Sequence, residues 1–218
     1  MDHQRRRLLV GSVLSFAAVL PAIRLTAAEL TLTPRQTRGP FYPVRIPLDS
    51  DNDLIVVNGK SRRAKGEITN VVGRVLDERR QAIDGARIEI WQCDANGRYH
   101  HPWDNRSVPL DPNFQGYGEF TTGADGAYRF RTIKPVSYPG RAPHIHFAIT
   151  APGTQPLVTQ MYVAGAPENE NDWILNSIGD KRARDSLIVE VRPHPEIVGE
   201  LMAEFDIVLI TDGRYSSG

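Results

Sequence analysis

The sequence predicts an all-β fold, an antiparallel β-sandwich with long loops and little helix. From Glu67 onward the chain breaks into short segments rich in Val, Ile, Tyr and Phe, side chains that suit a pleated, half-buried surface. Between the segments stand turn signals, among them Asp77-Glu78, Ala95-Asn96-Gly97 and Ala124-Asp125-Gly126. Short strands punctuated at that spacing build two packed sheets.

The elements follow in order. Residues 1–28 carry Arg5-Arg6-Arg7 near their start, continue through an apolar stretch at 8–23 and end in Thr26-Ala27-Ala28, the pattern of a signal peptide. Gly11, Ser12 and Ser15 dilute the apolar stretch, which argues for a cleaved leader over a permanent anchor. Arginines directly before Leu8-Leu9 suit the twin-arginine route, so an exported protein, periplasmic or secreted, is expected. Residues 29–66 are rich in Pro, Asp and Gly and read as an ordered wrapping segment, with 67–218 as the sandwich domain. Expected strands are 68–76, 87–93, 118–122, 128–132, 144–150, 157–163, 187–191 and 205–209. One short peripheral helix is expected where Asp172 caps a turn carrying Trp173, Ile174, Leu175 and Ile178.

Twenty-six basic residues balance twenty-six acidic ones, so composition makes no case for nucleic acid or an anionic membrane as partner. Cys93 is the only cysteine, which excludes an intrachain disulfide. Function must therefore come from a local site.

His144-Ile145-His146 places two imidazoles on one face of a strand, roughly 6.5–7 Å apart along it, near enough to converge on one ion. The same spacing also fits a polar strand face satisfied by solvent. Tyr138 precedes the pair in a loop, and Tyr99 follows the turn after Trp91, where an aromatic hydroxyl is equally at home as a packed rim residue.

Several ordered motifs sharpen this picture: Gly39-Pro40-Phe41-Tyr42-Pro43, Trp91 with Gly97-Arg98-Tyr99, Leu110-Asp111-Pro112-Asn113-Phe114, Phe130-Arg131-Thr132-Ile133-Lys134-Pro135, Tyr138-Pro139, Arg141 with His144-Ile145-His146-Phe147, and Thr159-Gln160-Met161-Tyr162. Together, over 39–163, they resemble the intradiol ring-cleavage dioxygenases, in particular the iron-binding subunit of protocatechuate 3,4-dioxygenase. The resemblance implies that Tyr99, Tyr138, His144 and His146 bind iron(III), Fe(3+), with a hydroxide completing the shell. Two phenolates are hard anionic donors and favour iron(III) over iron(II). It further implies that Tyr138 is the ligand that leaves as a base, that Arg141 stabilises negative charge on the substrate ring, and that Gln160 hydrogen-bonds Arg141 or oxygen species. The reaction implied is the opening of a catechol by O2 to a cis,cis-muconate-type dicarboxylate, with no organic cofactor.

Gly140-Arg141 directly after Pro139 shortens the loop that in the family carries more residues and often a tryptophan, so a shortened pocket rim is expected and the substrate stays open. Self-association and pairing with a second, unlike chain both stay open. Two other readings compete: a metal-free, transthyretin-like binding module, and a periplasmic copper or zinc protein that adds His100 or His101 to His144 and His146.

Overall fold

Strand β1 (Ile68–Asp77) organises the first sheet, and its inward Val71 and Val75 are fully buried. The computed structural model describes residues 30–211, so the leader expected at 1–28 lies outside the described residues. After β1 come β2 (Arg87–Trp91), β3 (Tyr117–Thr121), β4 (Ala127–Ile133), β5 (His144–Thr150) and β6 (Leu157–Val163). A 3-10 turn (Pro167–Glu170), α1 (Trp173–Asn176) and α2 (Lys181–Asp185) lead to β7 (Ile188–Val189), β8 (Val191–Pro193), β9 (Leu201–Glu204) and β10 (Ile207–Leu209). Among the described residues no helix is long and apolar enough to cross a membrane.

Among the described residues each sheet has five strands. In the first, β4 pairs antiparallel with β1, while β9 and then β10 follow β1 in parallel and β8 pairs with β9. The second runs β3-β2-β5-β6-β7. Ile88, Ile90, Ile145, Phe147 and Ile149 of this sheet meet Val71, Val75, Phe130, Phe205 and Ile207 of the other in one apolar core.

The sandwich is mixed where an antiparallel one was expected. Parallel pairing needs a crossover, and the helical stretch from Pro167 to Asp185 supplies it between β6 and β7. The single strand expected at 187–191 is two strands broken at Glu190, because the chain changes sheets there: β7 pairs with β6 and β8 with β9. Strand β9 was not anticipated; Leu-Met-Ala-Glu has no β-branched residue and takes its conformation from pairing with β1.

The expected helix at Asp172 is present as α1. The Asp172 carboxylate accepts from the amides of Ile174 and Leu175. Residues 30–66 form no strand longer than an isolated bridge, yet they are pinned by backbone bonds such as Gln36 N–H to Val158 O (2.7 Å) and Arg131 N–H to Asn52 O (2.8 Å). The first of these bonds lays the segment along the edge of β6 that β7 leaves unpaired.

Gly73 shows how tightly β1 is hemmed in. A Cβ there would sit 2.0 Å from the Phe205 carbonyl oxygen, which also accepts from the Tyr128 hydroxyl. Gly73→Ala is expected to lower stability by about 1–3 kcal/mol through overpacking, read as a drop in Tm of several degrees. An unchanged Tm would show that the β9–β10 junction yields freely.

Candidate metal centre

Alternation along β5 sends Ile145, Phe147 and Ile149 into the core and His144, His146 and Ala148 to the opposite face. That outer face is not wet: His144 and His146 are 1% and 2% exposed. Register sets their neighbours. Trp91 on β2 and Gln160 on β6 both pair with His146, and Tyr162 pairs with His144. Trp91 stacks flat on the His146 ring at 4.8 Å and 5°, which fixes the imidazole plane.

Tyr99 arrives from the loop after β2. Asp94 Oδ1 accepts from the amides of Asn96 and Arg98, Gly97 takes a positive φ of 76°, and the Tyr99 amide is held by Asp104 Oδ2 at 2.8 Å. Desolvation raises the Asp104 carboxyl, but hydrogen bonds from Arg106 and from backbone amides more than offset it and bring it to about 2. The Tyr99 ring is buried under Phe41, stacked at 4.7 Å. Tyr138 arrives from the β4–β5 loop, half-buried, with its ring edge-on to Tyr99 at 5.7 Å and 5.5 Å from His144.

All four side chains proposed from the sequence as ligands therefore meet. His144 Nε2 is 3.2 Å from His146 Nε2 and 3.4 Å from the Tyr99 hydroxyl. Because His144 Nδ1 lies 2.6 Å from the Ala142 carbonyl, which can only accept, Nδ1 carries the proton and Nε2 turns a lone pair toward the other two. Burial, reinforced by nearby Arg141, holds His144 down to about 3. Burial, then His144 and Arg141, holds His146 well below its usual value. Burial drives the Tyr99 phenol well above the usual range, with Tyr138 adding to it. Burial also raises Tyr138, against the opposing charge of Arg141.

Two neutral imidazoles and two phenols, packed together and largely buried, suit one multivalent cation. Ion binding would ionise the phenols and bring the lone pairs to a common centre. The oxygen donors are hard, which fits a trivalent metal. Histidines 100 and 101 do not join: His100 Nε2 donates to Asp111 O at 2.9 Å, and His101 Nδ1 accepts from the Trp103 amide. Among the described residues no third His, Cys, Asp or Glu completes a metal-holding group with His144 and His146.

Arg141 and Gln160 are also in place. Arg141 Nη2 donates to Gln160 Oε1 at 2.6 Å and to the Tyr162 hydroxyl at 3.3 Å, while Gln160 Nε2 donates to Thr37 O. Tyr138 and Arg141 line a cleft of about 460 Å³ together with Ser137, Pro139, Gly140, Glu168 and Asn171. A larger groove, about 1280 Å³, lies over β1, β4 and β9 and shares none of the four converging rings. Cys93 is buried, with its thiol pushed up to about 12 by desolvation, and takes no part.

Two contributors were not assigned roles from the sequence. Gly39, at φ 69°, passes so close that a Cβ would lie 3.3 Å from His146 Cε1. Asp172, expected only as a helix cap, also pairs with Arg141 Nε at 2.9 Å. The Gly-Pro-Phe-Tyr-Pro motif marked the first; nothing local marked the second.

Comparison with known proteins places these features in context. A family model described as dioxygenase matches residues 37–211. The protocatechuate 3,4-dioxygenase beta chain of Burkholderia cepacia is 42% identical over 185 residues, 80% of this chain and 78% of that one. A hydroxyquinol 1,2-dioxygenase of Corynebacterium glutamicum is 30% identical over 207 residues, 86% and 62% of the two chains. Among solved structures, the dioxygenase domain of a carbohydrate-binding fusion from Streptomyces sp. SirexAA-E aligns with a TM-score of 0.64 at 30% identity, covering 83% of this chain and 99% of that one.

Tyr99→Phe and His146→Ala are each expected to lose most bound metal by elemental analysis while the circular dichroism of the strands stays unchanged. Full metal content in either variant would remove that side chain from the centre.

Proposed function

The chain belongs to the intradiol ring-cleavage dioxygenases, and from that premise we propose that it is a non-haem iron(III) enzyme. In this reading it opens a catechol between its hydroxylated carbons with O2, to a cis,cis-muconate-type dicarboxylate. The observation that carries the reading is the convergence of Tyr99, Tyr138, His144 and His146 beside a cleft walled by Arg141. Family membership displaces the metal-free binding module.

Bound iron(III) supplies the Lewis acidity that favours the deprotonated catechol and readies its ring for oxygen. The protein's own groups do the rest. Tyr99, buried beneath Phe41, stays put as a permanent ligand. Tyr138 faces the cleft, so once ionised at the metal its Oη would be the base placed to take a proton from an arriving catechol hydroxyl. Arg141 presents a fixed positive charge to the ring as negative charge develops there, and Gln160 holds one of its nitrogens. Trp91 and Phe41 exclude water from the far side.

The purified protein is expected to be red, with about one iron per chain, and its colour should shift on anaerobic addition of a catechol substrate. Arg141→Ala should keep iron and colour and lose turnover. A colourless, iron-free protein from iron-replete cells would sink the proposal, and normal turnover by the arginine variant would remove Arg141 from it.

For substrate, we propose a catechol without a carboxylate, such as hydroxyquinol or a lignin-derived catechol, met outside the inner membrane if residues 1–28 direct export. Gly140 leaves open space at the rim, and the charged side chains on the cleft are Arg141, already paired with Asp172, and Glu168. A carboxylated ring would bring a second negative charge toward Glu168, a repulsion of about 2 kcal/mol at ~8 Å and an effective dielectric near 20. Glu168→Gln should therefore raise kcat/KM for protocatechuate about thirtyfold while leaving hydroxyquinol nearly unchanged. Equal effects on both substrates would show that Glu168 does not sort them.

A further inference from the structure

We infer that Asp172 is the positioning residue that aims the Arg141 guanidinium into the cleft and ties that aim to the loop preceding His144. The inference rests on the proposed reaction for its kinetic consequence, but its geometry stands independently.

The Asp172 side chain is fully buried. Its two oxygens have separate tasks. Oδ1 accepts from the Ile174 and Leu175 amides, at 3.1 and 3.0 Å, and so starts α1. Oδ2 accepts from Arg141 Nε and from the Ala142 amide, both at 2.9 Å. The carbonyl of that same Ala142 receives the His144 Nδ1 proton. One carboxylate thus fastens the guanidinium, the residue that anchors a proposed metal ligand, and the helix that follows β6.

Four N–H donors around a single carboxylate need an acceptor at every position. An asparagine would turn its NH2 against either the helix amides or the Arg141 Nε and Ala142 N–H groups, leaving buried donors unpaired. The pairing also decides how Arg141 is used. Nε is held by Asp172 and Nη2 by Gln160 and Tyr162, and the Tyr138 hydroxyl lies beside the same guanidinium. Because Arg141 lines the cleft beside Tyr138, a ligand there would meet the guanidinium next to the Tyr138 hydroxyl. Held at two corners, the planar guanidinium keeps the third corner fixed; released at Nε, it regains the rotamer freedom of a long side chain.

The test compares Asp172→Asn with Asn176→Ala in the iron-loaded enzyme. Asn176 Nδ2 bonds the carbonyls of Asn169, Glu170 and Asp172, so its removal loosens the same helix without touching Oδ2. Asp172→Asn should keep the iron content and visible band, lower kcat about a hundredfold and move KM only a few-fold, the signature of misplaced orientation. Asn176→Ala should keep kcat within a few-fold. The double variant Asp172→Asn/Arg141→Ala should be no worse than Arg141→Ala alone. In metal-free protein, the Arg141 Nε–H resonance should exchange slowly with solvent in the parent and rapidly in Asp172→Asn.

Multiplying losses in the double variant, an equal loss in Asn176→Ala, or an unchanged Nε–H exchange rate would each overturn the inference. Failure of the dioxygenase reading would show separately, as an iron-free or inactive parent, with the exchange experiment still deciding the geometry.

Discussion

Everything in this site depends on burying the polar face of β5. A strand must show alternate residues to opposite sides, so the register that packs Ile145, Phe147 and Ile149 into the sandwich turns His144 and His146 outward. Left to solvent, those imidazoles would be ordinary. The protein covers them with Trp91, Phe41, Tyr99, Tyr138 and the Gly39 backbone, and the imidazoles remain neutral because desolvation disfavours their protonated forms. A buried face of uncharged nitrogen and oxygen donors that mostly lack other partners suits a cation.

The cover is itself held by a polar framework. Glu89 lies on the same face of β2 as Trp91, buried, and accepts from the hydroxyls of Tyr42 and Tyr117 at 2.7 and 2.6 Å while pairing with Arg87 at 2.9 Å. These bonds anchor the chain just after Phe41, so the ring that caps Tyr99 is supported from behind. On the opposite side, Asp104 holds the Tyr99 amide and pairs with Arg106, whose guanidinium lies over the Tyr138 ring at 4.9 Å. The two tyrosines differ in surroundings accordingly. Tyr99 is almost fully buried and Tyr138 half-buried, an asymmetry that equal ligand types in the sequence do not reveal.

Much of this was legible beforehand. The strands at β1 to β6 follow from Val, Ile, Tyr and Phe runs between strong turns, and the Asp172 cap is a local signal that the structure bears out. What escaped was non-local. The break at Glu190 exists because β7 and β8 serve different sheets, and β9 forms because β1 offers it an edge. Gly140 was visible as a shortened rim, but the carboxylate that shares the resulting cleft, Glu168, comes from a 3-10 turn distant in sequence.

By itself the sequence determined that His144 and His146 share a face, that Tyr99 and Tyr138 follow turns, and that Asp172 begins a helix. These are consequences of strand periodicity and of side chains bonding to nearby backbone, which act over a few residues. Only the tertiary structure decided that the four rings meet, that Trp91 and Gln160 flank His146, and that one oxygen of Asp172 reaches back to Arg141. Those meetings depend on the register between strands and on the path of the wrapping segment. Both are settled by which apolar faces are buried together across the whole chain.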